Sequence, residues 1–230
     1  MQKINTYPKI SIVTPSYNQG HYIEQTIQSI INQNYPNLEY VIIDGGSTDN
    51  TVDIIKKYAH HITYWVSEKD KGQSDAINKG IQKCTGEIFN WVNSDDFLEP
   101  NSLFHIAEMY LQTHFSVLCG RVNVLDDTMF SHIRKPSFIG KTMEESVAYY
   151  NINQEGTWWN FDYIKQQNGV NEAFECTMDL DVWIRFLLSY PIHTFIQTDS
   201  ILSNFRRHSA AKSTLQSNTS LNENQFLKEA

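Results

Sequence analysis

Cysteine is scarce in this sequence: three residues, Cys84, Cys119 and Cys176, each more than thirty positions from the next, among 230. With no CxxC and no Cys/His zinc spacing, a disulfide framework, a zinc site and a thioredoxin-like centre are all disfavoured, and reduced thiols in a cytoplasmic chain are the expectation. Positive charge is in deficit as well. Eighteen Lys and Arg face 26 Asp and Glu, a formal net charge of −8. That balance disfavours general binding to a nucleic-acid phosphate backbone, so a phosphate ligand needs a local concentration of cations. No apolar run approaches the about 18 residues of a membrane span, and the start MQKINTYPK lacks the apolar stretch of a signal peptide.

Charged residues make up 19%, below the roughly 25% of an average soluble domain. Twenty Asn and fourteen Gln fill the polar share instead. Aromatics at 13% argue against disorder. The length fits one large domain with a real core. A single domain over residues 1–210 is expected, followed by a polar Ser/Asn/Thr-rich tail over 211–230 in which Leu221–Leu227 has the pattern of a short helix.

The first hundred residues alternate strand and helix signals, which predicts parallel βα units. Lys9–Thr14 is a β-branched run stopped by Pro15, and Ile23, Ile27, Ile30 and Ile31 then share one helical face. Leu38–Asp44 reads as a buried strand. Thr48 or Asp49 can cap the next helix, with Val52, Ile55 and Ala59 inward. A strand at Ile62–Val66, a helix through Ala76, Ile77 and Ile81, and a strand at Glu87–Val92 follow. Farther on the pattern is less regular. It predicts a helix over 101–113, strands near 116–125 and 129–134, and helices within 142–150 and over 178–189, the last with Leu180, Trp183, Ile184 and Leu187 on one face.

Three strands end in distinctive polar clusters: Pro15-Ser16-Tyr17-Asn18, Asp44-Gly45-Gly46-Ser47-Thr48-Asp49 and Asn93-Ser94-Asp95-Asp96. Ligands of open α/β sheets bind beyond the carboxyl ends of strands, so convergence of these clusters predicts a site. No GxGxxG follows the first strand and no GxxxxGK[ST] occurs, which disfavours a dinucleotide fold or a P-loop. The plainer reading of the second cluster is a tight turn. Adjacent carboxylates at Asp95 and Asp96 repel, and a hard divalent cation relieves that repulsion; an ordinary acidic loop before Pro100 is the alternative.

In order and spacing, Pro15-Ser16-Tyr17-Asn18, VIIDGGSTDNT at 41–51, GQSDAINKG at 72–80 and NSDD at 93–96 resemble family 2 glycosyltransferases. Gln154–Trp159, Met178–Arg185 and Phe205–His208 resemble that family's acceptor-side segments, so the likeness covers roughly 8–210. It implies a GT-A-type, Rossmann-like α/β fold with a central, mostly parallel mixed sheet flanked by helices. A nucleotide-sugar half over about 8–100 would precede an acceptor half over about 101–210. It further implies a nucleotide-sugar donor (a UDP-sugar first among candidates), a divalent Mn²⁺ or Mg²⁺, inversion at the anomeric carbon, and a saccharide or lipid-linked glycan acceptor. A lipid-linked acceptor would be met by peripheral contact with the cytoplasmic membrane face.

Carried over residue by residue, Pro15, Tyr17 and Asp44 would surround the nucleoside, with Asp44 accepting from the base. Lys71, Gly72, Asp75 and Asn78 would line the diphosphate and donor sugar beside Asn93 and Ser94. Asp95 holds the last position of the family's DxD motif and Asp96 stands next to it, so both are candidate metal ligands. The first DxD position is a neutral Asn93, a departure that leaves open which carboxylate binds the ion. Asp179 aligns with the family's catalytic base. On a helix Asp181 lies about 200° from it, one turn before Arg185, where an ion pair is expected; Asp181 and Glu155 are the alternatives. Arg206, Arg207 and His208 form the dense basic cluster of the second half, and the family implies a diphosphate contact for Arg206 and His208. A solvated edge strand is the plainer reading. Gln154, Trp158 and Trp159 are acceptor candidates, the two indoles by stacking on a sugar ring or else as core. A non-catalytic sugar-nucleotide-binding domain, or a module of a larger polysaccharide synthase, is the competing function.

Overall fold

Seven consecutive buried residues, Ile10–Ser16, form β1, and such a run without alternation belongs in the middle of a sheet covered on both faces. In the computed structural model, which describes residues 7–209, 211 and 223, β1 pairs in parallel with β2 (Leu38–Asp44) on one side and β4 (Ile88–Trp91) on the other. β3 (Tyr64–Ser67) adds in parallel outside β2. Between these strands run α1 (Ile23–Ile31), α2 (Thr51–Lys57) and α3 (Gln73–Ile81). The apolar spacing of α1 explains its packing: Ile23, Ile27 and Ile30 are fully buried, each contributing about 1.5–3 kcal/mol. α2 turns Thr51 and Ile55 inward rather than Val52 and Ala59, and Asp49 accepts from the Thr51 amide.

The sheet continues through the two strands expected near 116–125 and 129–134 and three, Phe97–Leu98, Thr157–Asn160 and Phe195–Arg207, that the sequence pattern did not reveal. Beyond β4 come β8 (Thr157–Asn160), antiparallel, then β6 (Val117–Asp126), β9 (Phe195–Arg207) and the two-residue β5 (Phe97–Leu98), with β7 (Met129–Arg134) hairpinned onto β6. The remaining helices are α4 (Ser102–Thr113), α5 (Met143–Ala148), α6 (Phe161–Gln166) and α7 (Met178–Ser189). This is the expected mostly parallel mixed α/β sheet flanked by helices. The expected strands at 116–125 and 129–134 and the helices at 101–113, 142–150 and 178–189 are present within a residue or two. The helix expected over Leu221–Leu227 lies, Glu223 apart, outside the described residues.

Register decides where function can sit. Ser16 is paired with Asp44 and Val13 with Trp91, so β1, β2 and β4 all exit on one edge. β8 runs the other way, which puts its start, and Gln154–Gly156 before it, on that same edge. β6 and β9 run with β4 and deliver Phe205 and Arg207 there too. One core layer lies on each face of the sheet; the indoles of Trp158 and Trp159 go to opposite layers.

Candidate active site

At this shared edge lies a cleft of about 1180 Å³. Pro15, Ser16 and Tyr17 form one wall, Lys71, Gly72, Gln73 and Asp75 a second, Asn93, Ser94, Asp95 and Asp96 the floor, and Gln154, Glu155 and Asp179 the far side. Tyr17 is 60% exposed, an aromatic face open to stacking on a planar base. Its loop is tied to the next: the Asn18 amide donates to the Ser47 hydroxyl at 2.7 Å, and Asn18 Oδ1 accepts from the Thr48 amide at 2.9 Å. Gly72 leads into α3 at φ 120°, a conformation open chiefly to glycine, and a Cβ there would meet nothing within 4 Å. Backbone therefore faces open space in the cleft wall. Asp75 turns back to accept from the Lys71 amide at 2.9 Å.

The acidic floor is held from three sides. The Thr26 hydroxyl of α1 reaches the carbonyls of Ser94 and Asp96 at 2.9 and 2.6 Å. Asn93 accepts from Gln73 Nε2 at 2.7 Å and donates to Asp96 Oδ2 at 3.3 Å. The neutral residue at the first DxD position is thus a bridge: an aspartate there would lack the donor and repel Asp96. Asp96 is only 2% exposed, and its Oδ1 accepts from the Arg206 amide at 2.9 Å. Burial, then the nearby Asp95 and Glu155 charges, push its carboxyl well above the usual range. Asp95 keeps more solvent contact, and its Oδ2 lies 3.0 Å from His208 Nε2.

Across the cleft, Gln154 Nε2 donates to Asn90 Oδ1 and the Trp91 carbonyl at 2.9 and 2.7 Å, which pins the turn carrying Glu155. Burial raises the Glu155 carboxyl to about 7; Arg134 opposes the rise while Asp179 and Asp95 add to it. Its Oε2 is buried and finds no hydrogen-bond partner among the described residues. Asp179, in the first turn of α7, is raised to about 6, chiefly by burial, against hydrogen bonds from its own amide and that of Leu180. Such a group is ionised near neutrality yet retains affinity for a proton, as a general base requires. Asp181 instead pairs with Arg185 at 2.8 Å and does not line this cleft.

Several sequence expectations are corrected here. Trp158 and Trp159 are fully buried between helices and sheet, so neither presents a face to an acceptor sugar. Asp44 is also fully buried. Its carboxylate accepts from the Gly46 and Ser47 amides and the Ser47 and Ser67 hydroxyls, and it shapes the turn instead of lining the cleft. Asn78 points away, exchanging hydrogen bonds with Val170 at 2.9 Å in both directions. Arg206 is not on a solvated edge strand: β9 lies inside the sheet, and Arg206 is 3% exposed. Its guanidinium donates to the carbonyls of Asp95 and Asp127 and to Gln25, and stacks on Tyr22 and Phe97. It carries the acidic floor and does not reach a diphosphate in the cleft. His208 likewise meets Asp95 from behind, outside the cleft lining.

Among the described residues, the cations that line the cleft beside Lys71 are Arg134, set over the Phe205 ring at 4.6 Å, and Arg207. Arg134 was missed by sequence reasoning. It closes an exposed hairpin strand, and only the pairing of β6 with both β7 and β9 brings it here.

A divalent cation fits the floor chemically. The Asp96 and Glu155 carboxyls are buried with the Asp95 charge nearby and have raised proton affinity, the condition a cation relieves. Among the described residues no three His, Cys, Asp or Glu side chains are grouped to hold an ion by themselves. One or two carboxylates completed by phosphate oxygens is a common arrangement for Mg²⁺. Among the described residues no helix is long and apolar enough to cross a membrane.

Comparison with known proteins agrees with this geometry. The glycosyl transferase family 2 model matches residues 11–174. An uncharacterized glycosyltransferase of Rickettsia felis is 30% identical over 217 residues, covering 90% of this chain but only 35% of the relative. Chondroitin synthase of Escherichia coli is 40% identical over 98 residues, 42% of this chain and 14% of that one. The chain thus spans about a third or less of these two relatives. Among solved structures, S. aureus TarS 1-349 in complex with UDP-GlcNAc superposes with a TM-score of 0.71 at 18% identity, over 90% of this chain and 61% of that 1-349 chain. The mannosyltransferase PcManGT of Pyrobaculum calidifontis, in complex with GDP-Man and Mn²⁺, gives 0.60 at 17%, over 90% and 58%. With the matching model covering well over half its length, the chain belongs to glycosyl transferase family 2 and has the GT-A-type fold of these glycosyltransferases.

Proposed function

We propose that this chain transfers a sugar from a nucleoside-diphosphate donor, a UDP-sugar first among candidates, to a hydroxyl of a saccharide or lipid-linked glycan acceptor, with inversion at the anomeric carbon. The observation that carries the reading is the facing of two different acidic sites across one cleft, the Asp95–Asp96 floor and the buried Asp179. The donor complexes of TarS and PcManGT support a nucleotide-sugar ligand, and the Mn²⁺ of PcManGT supports a divalent cation.

In this reading Tyr17 and Pro15 take the base. The Lys71–Gly72 backbone, with Arg134 and Arg207, faces the diphosphate and donor sugar. Asp95, the more accessible of the pair, is the protein's metal ligand, while Asp96 is held by Arg206 and Asn93 as support. A divalent cation bound there supplies Lewis-acid stabilisation of charge developing on the leaving diphosphate. Asp179 accepts the proton of the acceptor hydroxyl as that oxygen attacks the face opposite the leaving group. Glu155 and Gln154 stand between donor and acceptor sides.

The test is nucleoside diphosphate release with a panel of UDP- and GDP-sugars, with and without Mn²⁺. Release with one donor, dependent on Mn²⁺, is expected. Failure of every donor to bind at millimolar concentration contradicts the reading.

A further inference from the structure

The turn that leads into α7 is gripped by a carboxylate from far along the chain. Glu223 Oε1 accepts from the Glu175 amide at 2.7 Å. Its Oε2 accepts from the amides of Cys176 and Thr177, both at 3.0 Å, and from the Thr177 hydroxyl at 2.9 Å. Thr177 is the residue preceding α7, yet its side chain makes no cap of its own; the hydroxyl donates to Glu223 instead. From 46 residues away Glu223 thus takes the amides just before α7, as the glutamate of a capping box takes the N-cap amide, at the end of a helix where negative charge is favoured. Burial alone would raise the Glu223 carboxyl, but these hydrogen bonds outweigh it and hold it below the usual range, so it is anionic at neutral pH.

Glu175, Cys176 and Asp179 all line the cleft, and Asp179 stands two residues after the gripped Thr177. We infer that Glu223 is a positioning residue for transfer, clamping the Glu175–Thr177 turn so that Asp179 is presented to the acceptor side of the cleft. The inference rests on the reading of Asp179 as the base. It also extends the site to a stretch of sequence with no motif in it.

The charge acts in addition to the clamp. Among the described residues, the groups shown to act on or feel the Asp179 charge include Glu223 from beyond β9, Glu155 from the turn before β8, and Tyr150 from the segment after α5. Glu223 raises the proton affinity of Asp179, which favours its action as a base.

The experiment uses the full chain with Glu223→Gln, Glu223→Ala, Glu223→Asp and Asp179→Asn. The Asp179 carboxyl is titrated by ¹³C NMR, its signal assigned from Asp179→Asn, and UDP release from UDP-GlcNAc is followed with Mn²⁺. Glu223→Gln and Glu223→Ala should move the Asp179 midpoint below its starting value of about 6. They should also shift the amide resonances of Glu175, Cys176 and Thr177. They should lower kcat about tenfold, the scale of one lost charge-assisted hydrogen bond, with the donor KM little changed. Glu223→Asp should recover part of both effects. Glu223→Gln keeps the shape of the side chain, so it remains informative where Glu223→Ala unfolds. An unmoved Asp179 midpoint with unmoved amides in Glu223→Gln overturns the inference, whatever the turnover. Wild-type turnover in Asp179→Asn instead defeats the base assignment, and the NMR titration tells the two failures apart.

Discussion

Arg206 holds Asp95 and Asp96 with different parts of itself: its backbone amide donates to Asp96 Oδ1 at 2.9 Å, and its guanidinium donates to the Asp95 carbonyl at 2.7 Å. A cation buried in β9 thus fixes the shape of the acidic floor without entering the cleft. Neutralisation of a bound diphosphate falls to other groups.

Replacing Arg206 should act through the floor. Arg206→Ala leaves the carbonyls of Asp95 and Asp127 without their donor, and should destabilise the protein by about 2–4 kcal/mol. Arg206→Lys should recover little, because a single ammonium cannot reproduce the guanidinium fork. Denaturant unfolding measures the first effect. Titration of UDP with Mn²⁺ should show weakened binding in both variants.

Asn93→Asp restores a two-carboxylate DxD motif on paper, yet it should destabilise this protein. The new charge would sit beside Asp96 in place of the 3.3 Å hydrogen bond that Asn93 now donates. The variant should melt below wild type at pH 8. The gap should narrow when acid protonates the pair, or when Mn²⁺ and UDP are added. An unchanged melting temperature at pH 8 without ligand would argue against the bridge.

Asp179→Asn should lower kcat by about 10²–10⁴-fold with the donor still bound. It should also stabilise the protein at pH 7.5 by about 1–3 kcal/mol, since the folded carboxyl, raised to about 6, binds its proton more tightly than the unfolded one near 4. The sign follows from that order. The favourable contribution is complete below the unfolded value and is lost as pH rises through about 6. The stability gap between variant and wild type should therefore vanish below about pH 4 and open between 4 and 7. Wild-type kcat should rise over the same interval as the base ionises.

Trp159→Ala should cost about 3–5 kcal/mol, the scale for deleting a buried indole. Trp159→Phe should keep much of the stability and leave the pattern of acceptors used unchanged. A selective loss of one acceptor with full stability would return Trp159 to the cleft.

Much of this fold was legible where local pattern and tertiary environment agree. The β-branched runs of β1 and β2 lie between sheet neighbours on both sides, and α7 carries a 3.6-residue stripe; β2 and α7 have the boundaries their patterns suggested, while β1 continues through Pro15 to Ser16 instead of stopping at Thr14. β8 and β9 were not legible. β8 is four residues long, and β9 mixes Gln197, Asp199 and Asn204 with apolar residues because its environment changes along its length. The site divides in the same way. Two of the three strand-end clusters, at Pro15–Tyr17 and Asn93–Asp96, identified the cleft, because chain direction puts them on one edge; the Asp44–Asp49 turn supports the first of them without lining it. Which charged side chains face into it was not legible, because their partners are distant: Arg206 meets Gln25 across 181 positions, and Asn78 meets Val170 across 92. Arg134 and Glu223 reach the site through hairpin pairing and a long return of the chain, which no local spacing encodes.

The most direct measurement is calorimetric titration of UDP into wild type and Asp95→Asn, each with Mn²⁺ and again after EDTA. UDP should bind wild type with Mn²⁺ and weaken at least about tenfold on removal of either the metal or the Asp95 charge, since each takes away one charge-assisted contact. Equal UDP affinity in all four conditions would mean that the nucleotide is held without a cation at Asp95.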